Sequence, residues 1–288
     1  MAKLKYTFMN DTLFKMLFVK YPELLKSLVS ELLRIRLESI EQFEIMNPEV
    51  PPESLGDKFC RLDINMTVDN QRVDLEIQVR NEGDYPERSL FHWARLYSTS
   101  LSEGKEYSKL PRAVIISIID FKLFDCAEFH SEYRAVEVTR HTQLTDRMSL
   151  HYFELPKLPA SISAEDELEL WLKLFDAETE EELSKIKALE VPVVEQAIEA
   201  YRSITATPEF QEMERLRSKA RHDEAQALHH ARLKEREKWQ SVIADKDKAW
   251  QSVIADKDAL IADKDKAWQS VIADKDALIA ELRARLGE

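Results

Sequence analysis

The chain has 288 residues, of which 44% are hydrophobic and 33% charged, and its formal net charge is -13. Only four glycines are present, so Rossmann-type and P-loop nucleotide chemistry is excluded, because both need closely spaced glycines. The negative charge argues against wholesale non-specific attraction to nucleic acid, since backbone phosphates are bound by clustered Lys and Arg.

Up to about residue 160, the chain mixes helical and strand periodicities. Apolar residues recur at helical spacing over 11–34, with Asn10 as N-cap and Pro22 starting a second helix. The predicted strands cover about 42–47, 59–68, 72–80, 113–119 and 149–155, and a further helix covers about 86–103. We therefore predict an α/β domain over 1–160 with a mixed sheet.

The segment FCRLDINMTVDNQRVDLEIQVR, residues 59–80, alternates strictly between polar and apolar side chains. The pattern predicts a β-hairpin with its turn at Asp69-Asn70, because Asp and Asn tolerate positive φ. In the register set by this turn, Asp63 lies opposite Glu76. Facing carboxylates repel each other unless one is protonated or a cation lies between them.

Two interpretations of this polar face stay open. It is the solvated side of an antiparallel hairpin, where charged residues are the rule, or it is a metal site. Two carboxylates and an amide on adjacent strands suit Mg²⁺, which activates a water and neutralises charge on a phosphodiester. Asn65 and Asp74 lie opposite each other on the same face.

The predicted helix over 86–103 carries a polar stripe that includes Arg88, His92 and Arg95. Such a stripe suits a phosphate track beside the carboxylates, and it is equally typical of the solvated face of an amphipathic helix. We take Phe91 and Ala94 as part of the neighbouring apolar face.

The longest wholly apolar run, Ala113 to Ile119, is far shorter than the roughly 20 residues that span a bilayer. The N-terminus MAKLKYTFMND has no signal-peptide core. We therefore expect a cytoplasmic protein without membrane association. Cys60 and Cys126 lie in apolar surroundings, which indicates reduced, buried thiols.

Beyond residue 160 the periodicity is almost entirely helical. Helices are predicted at about 165–175, 178–188 and 191–204, followed by one long helix from Pro208. We divide this part into a helical region, 161–207, and a long helix, 208–288.

The last third of the long helix is an internal repeat, whose WQSVIADKD units start at Trp239, Trp250 and Trp268. Spacings of 11 and 18 residues correspond to about 3.67 and 3.60 residues per turn, so the apolar side chains stay on one side of a nearly straight helix. An isolated helix with this seam exposes apolar surface. We therefore predict a coiled coil over 239–286 that joins copies of the chain into a homo-oligomer.

Four segments together resemble a known family: FMNDTLFKMLF, LDINMTV, DLEIQVR and the run from ERSLFHWARLYSTS to VIISIIDF. They are similar to the Rpn family of recombination-promoting nucleases and transposases, in the PD-(D/E)XK nuclease superfamily, over roughly residues 5–160. The resemblance implies a restriction-endonuclease-like core. It also implies cleavage of DNA that depends on Mg²⁺ or another divalent ion.

The resemblance also assigns roles. Asp63 and Glu76 match the two acidic metal ligands, and Asp11 resembles the acidic residue that the first helix offers. Gln78 stands where most of the superfamily has Lys. A neutral amide orients water but lacks the charge with which an ammonium stabilises the transition state.

Three arginines are candidates for that missing charge or for DNA contacts: Arg80, Arg88 and Arg95. We therefore expect a DNA endonuclease associated with recombination or mobile elements. The alternative is an inactive nuclease fold that acts as an oligomeric binding or assembly module through its tail. The acidic balance favours this alternative, and the presence of Asp63, Glu76 and Gln78 opposes it.

Overall fold

The computed structural model describes residues 2–47, 63–100, 106–161 and 163–286. It contains a six-stranded sheet in the order β1-β2-β3-β4-β6-β5. The strands are β1 Phe43–Ile45, β2 Ile64–Val68, β3 Gln71–Gln78, β4 Arg112–Ile119, β5 His130–Tyr133 and β6 Met148–Glu154. β3, β4 and β6 are parallel neighbours and the other pairs are antiparallel. This confirms the predicted mixed sheet, while β5 is an additional edge strand.

Seven α-helices accompany the sheet in the described residues. They are α1 Asp11–Lys20, α2 Pro22–Leu33, α3 Tyr85–Thr99, α4 Glu167–Asp176, α5 Glu180–Lys187, α6 Pro192–Thr205 and α7 Pro208–Leu286. The Asn10 side chain accepts a hydrogen bond from the Leu13 N–H, which caps α1, and Pro22 occupies the first turn of α2. Both predicted helix starts are confirmed.

The two faces of the sheet pack differently. On one face, the main hydrophobic core joins alternate strand residues such as Leu75 and Ile116 to the helices α1, α2, α4, α5 and α6. Phe18 and Trp171 are fully buried there. On the other face, α3 covers a small cluster around Tyr85 and Tyr152. The polar face of the hairpin lies on this second side, so it is not a simple solvated surface.

Two expectations about local burial are wrong. In the predicted apolar face of the helix at 86–103, Phe91 and Ala94 are exposed, with Phe91 65% accessible, because Tyr85, Trp93 and Leu96 pack towards the sheet instead. Cys126 is exposed rather than buried. Cys60 lies outside the described residues.

The chain forms two compact units, Met1–Ser218 and Lys219–Glu288. The first turns of α7 belong to the first unit, where Phe210, Glu214 and Arg217 are buried. The second unit is the remainder of α7, and its Trp239, Trp250 and Trp268 side chains are more than half exposed. Within the described ranges, no helix combines the length and apolar character needed to cross a membrane.

Candidate active site

The hairpin of β2 and β3 forms the base of the candidate site. Its turn lies at Asp69-Asn70 as predicted, with Asp69 at φ 50°. The Asp69 carboxylate also accepts hydrogen bonds from the Glu41 and Gln42 N–H groups, each 2.9 Å, which fixes the chain that enters β1. Asn65 pairs with Asp74, so the predicted register is confirmed over the strand pairs.

Asp63 lies directly before β2, one residue beyond the last strand pair, Ile64 with Leu75. Its carboxylate accepts a hydrogen bond from the Asn65 side-chain amide at 3.0 Å. Its carbonyl oxygen accepts from the Asn47 amide at 3.1 Å. These contacts hold Asp63 at the entrance of the strand with its carboxylate on the polar face.

Asp74, on β3, is a site residue that the sequence prediction did not single out. It is only 4% exposed, and its Oδ1 atom is buried with no hydrogen-bond partner among the described residues. Burial, together with the charges of Asp63 and Glu76, raises the pKa of Asp74 well above its usual range, while Lys15 opposes the shift. Strict alternation already placed Asp74 on the same face as Glu76. The burial of Asp74, which the structure shows, distinguishes it from a solvated carboxylate.

Glu76 is 3% exposed and accepts a hydrogen bond from the Tyr85 hydroxyl at 2.6 Å. Burial and the Glu76 charge raise the pKa of Tyr85 well above its usual range, so the phenol stays protonated and donates. The next residue on this face is Gln78, whose side-chain amide donates to the Arg80 carbonyl oxygen at 2.8 Å. The strand therefore aligns Asp74, Glu76 and Gln78 along one face.

Lys15, on α1, is the second site residue that the sequence prediction missed. It is 1% exposed, and its ammonium donates to the Asp63 carbonyl oxygen at 2.9 Å. Its charge also acts on Asp74. The position of Lys15 among the apolar residues Leu13, Phe14 and Leu17 could have indicated a role at the site, because a buried lysine needs hydrogen-bond acceptors or a negatively charged neighbour.

The three arginines differ in their surroundings. Arg88 stacks over the Tyr85 ring at 4.8 Å, and its Nε and Nη2 atoms are buried without hydrogen-bond partners in the described part of the chain. Arg80 and Arg95 are exposed. Of the three, Arg88 alone contacts a residue that hydrogen-bonds one of the carboxylates, because Tyr85 donates to Glu76.

Asp11 is exposed in the first turn of α1. A carboxylate at this position is favoured by the helix dipole, so its placement is consistent with a structural role as well as with the predicted ligand role.

The carboxylates fit a hard divalent cation. Within the described residues, no three acidic, His or Cys side chains are placed so that together they could hold a metal ion. Mg²⁺ needs only one or two carboxylates, however, because it retains several waters. The unpartnered Oδ1 of Asp74 beside the Asp63 carboxylate supplies such a donor set.

Comparison with known proteins gives one result for this chain. The sequence model of the PD-(D/E)XK nuclease family transposases matches residues 8–231. No curated protein and no solved structure matches.

Proposed function

Because the chain belongs to the PD-(D/E)XK nuclease family transposases, we propose that it is a Mg²⁺-dependent DNA endonuclease that hydrolyses phosphodiester bonds. Nucleases of this family generally use divalent metal ions. The observation that carries the proposal is the group of three neighbouring carboxylates, Asp63, Asp74 and Glu76, of which Asp74 and Glu76 are buried and Asp63 is half-buried. Recombination or the movement of genetic elements is the proposed biological setting.

The metal would be held by Asp63 and Glu76, with Asp74 beside them and Asp11 as a further ligand from α1. When bound, such an ion lowers the pKa of a water and offsets charge on the phosphate. The burial of a carboxylate beside two others is otherwise unexplained, because Asp74 has lost its solvent without gaining a hydrogen-bond partner for Oδ1 among the described residues.

The chain's own residues would complete the chemistry. Gln78 lies beyond Glu76 on the same face, where its side-chain oxygen can accept a hydrogen bond from the attacking water. A neutral amide cannot offset the developing negative charge. We assign that task to Arg88, because its guanidinium lies over the Tyr85 ring, whose hydroxyl donates to Glu76, and its Nε and Nη2 atoms have no hydrogen-bond partner among the described residues.

The test is cleavage of supercoiled plasmid by the purified chain with Mg²⁺ and with EDTA. Asp63→Asn, Asp74→Asn and Glu76→Gln keep the side-chain shapes and remove one carboxyl group each. We expect each to lower cleavage at least 100-fold, whereas Glu38→Gln, at an exposed site, should leave it unchanged. Cleavage that persists in EDTA, or in all three variants, would contradict the proposal.

Arg88→Ala and Arg80→Ala separate the two candidates for the positive charge. We expect Arg88→Ala to lower the cleavage rate at saturating DNA, and Arg80→Ala to affect mainly the DNA concentration that half-saturates the enzyme. If both variants cleave at the normal rate, another group supplies the charge.

We further propose that the tail joins copies of the chain into a homo-oligomer. The net charge of -13 favours a second candidate, an inactive nuclease fold that binds or assembles partners through this tail. Folded, oligomeric protein that leaves the plasmid intact would select that second function.

A further inference from the structure

The helical tail, residues 219–286 of α7, carries large apolar side chains that face solvent. Trp250 and Trp268 are each 64% exposed, and Ile261 is 56% exposed. This inference rests on the self-association proposed above. We propose that the apolar stripe of one tail packs against the same stripe of a second copy, with the two helices parallel and in register.

The stripe follows one line along the helix. We call it the seam, and it consists of Ile243, Trp250, Ile254, Ile261, Trp268, Ile272 and Ile279. At about 100° of rotation per residue, these side chains fall within about 20° of a common line. Neighbouring seam residues are separated by either four or seven positions.

Each seven-residue gap contains an adjacent Lys and Asp. These pairs are Lys246-Asp247, Lys257-Asp258, Lys264-Asp265 and Lys275-Asp276. In every pair the Lys falls about 40–60° to one side of the seam, and the Asp falls about 40–60° to the other side. The seam therefore has one positive edge and one negative edge along its length.

These edges distinguish the two possible orientations. In a parallel pair the two-fold axis runs along the helices, so the positive edge of one helix faces the negative edge of the other. In an antiparallel pair the axis is perpendicular to the helices, so each edge faces an edge of its own sign. Opposite charges beside an apolar seam set partner orientation, and the tail favours the parallel arrangement.

Apolar packing alone does not decide the orientation. The spacing of the seam is symmetric about Ile261, so an antiparallel pair would also match seam residues, with Ile243 opposite Ile279. Parallel pairing in register likewise places each of the seven seam residues opposite the same residue of the second copy. A parallel shift of 11 residues is worse, because it places Ile254 opposite Asp265 and interrupts the seam.

The symmetry about Ile261 supplies the test, which uses the full chain with Cys60→Ser and Cys126→Ser. Single cysteines are introduced as Ile243→Cys, Ile261→Cys or Ile279→Cys, oxidised, and separated on a non-reducing gel. Parallel pairing in register predicts that all three form a disulfide-linked dimer in most of the protein. Ala255→Cys, about 120° away from the seam, is the control for random collision and should remain at least fivefold less crosslinked.

Two outcomes overturn the proposal. Crosslinking of Ile261→Cys alone would show antiparallel pairing, and crosslinking of none of the three would show that the seam does not pair with its own copy. The gel contains no DNA, so this result is independent of whether the enzyme cleaves.

A charge variant tests the reason for the orientation. Asp258→Lys with Asp265→Lys makes both edges positive near the centre of the seam. We expect the crosslinked fraction of Ile243→Cys to fall at least twofold in low salt and to recover partly in high salt, which screens the edges. An unchanged fraction in low salt would contradict the charge argument.

Discussion

Lys15 links the first helix to the backbone of Asp63 at the candidate site. Its ammonium donates to the Asp63 carbonyl oxygen and is almost fully buried. Lys15→Met removes that donor and the charge near Asp74, so we expect a stability loss of about 1–3 kcal/mol and at least a tenfold fall in plasmid cleavage. Thermal unfolding and cleavage below the unfolding temperature measure the two effects.

Lys20→Met is the matched control, because Lys20 lies on the same helix and is exposed. It should change neither quantity appreciably. Normal cleavage by folded Lys15→Met protein would show that Lys15 only stabilises the fold.

His151 lies far from the hairpin in the sequence. Its ionisation makes the stability of the folded chain dependent on pH. Burial lowers the pKa of His151 from 6.5 to about 4 despite the opposing charge of Glu132, and His130, Arg112 and Arg134 lower it further. Between these two pH values His151 is protonated in the unfolded chain but stays neutral in the folded chain. The stabilisation is therefore complete above about pH 6.5 and is lost as the pH falls towards 4.

From this shift we expect the free energy of unfolding to fall by about 2 kcal/mol between pH 7 and pH 5 through His151 alone. Urea unfolding at both pH values measures it, and His151→Gln should show a correspondingly smaller fall. His141→Gln, at an exposed histidine, should retain the dependence of the unaltered chain. Equal pH dependence in all three proteins would rule out His151 as the source.

Residue-scale prediction from the sequence was limited by burial. Alternation placed Glu76 and Asp74 on one face, but it did not show that both carboxylates are buried. Lys15 was missed for the same reason, since helical periodicity does not show that α1 is enclosed on nearly all sides. The roles of Asp11, Asp63, Glu76 and Gln78 remain predictions.

At the scale of elements, the first turns of α7 are attached to the start of α1. The Glu214 carboxylate accepts hydrogen bonds from the Asn10 amide, at 2.8 Å, and from the Thr12 hydroxyl. Arg217 donates to the same hydroxyl at 3.3 Å. Since Asn10 also caps α1, this contact supports the helix that carries Lys15.

Glu214→Leu tests this attachment. It removes the carboxylate that accepts from the Asn10 amide and the Thr12 hydroxyl, so we expect a loss of about 2–3 kcal/mol, measured by urea unfolding. Glu212→Leu on the same helix removes only an exposed pair with Arg215, and should cost less than about 1 kcal/mol. Equal losses of unfolding free energy in the two variants would show that the buried Glu214 contact contributes no more than the exposed Glu212–Arg215 pair.

Elements with a strong periodic signal were predictable. Strands β3 and β4 and the long helix α7 lie close to their predicted bounds, and β2 ends where predicted, because alternation or helical spacing persists through each. The first residues of the predicted strand at 59–68, up to residue 62, lie outside the described residues. β5 was not predicted, since its four residues, His130–Tyr133, are polar and only partly buried. The predicted orientation of α3 was also wrong. Phe91 and Trp93 are both aromatic, so the sequence alone does not show which of them packs against the sheet.

At the scale of the whole molecule, the proposed hydrolytic site and the proposed self-association surface belong to different parts of the chain. The carboxylates lie in the unit Met1–Ser218, and the exposed seam lies in the unit Lys219–Glu288. The family match ends at residue 231, before the first repeat at Trp239. If the endonuclease proposal is correct, we expect the hydrolytic site to form without the repeat.

Deletion of residues 239–278 tests this separation in a chain that is otherwise complete. The deletion removes 40 residues, about 11 helical turns, so the remaining end of α7 keeps nearly the same rotational phase. We expect the mass in solution to fall to that of one chain, while Mg²⁺-dependent nicking per chain stays within about threefold. An inactive assembly protein would show no nicking before or after the deletion. Loss of nicking on deletion, with unchanged folding of the first unit, would instead show that hydrolysis requires two joined copies.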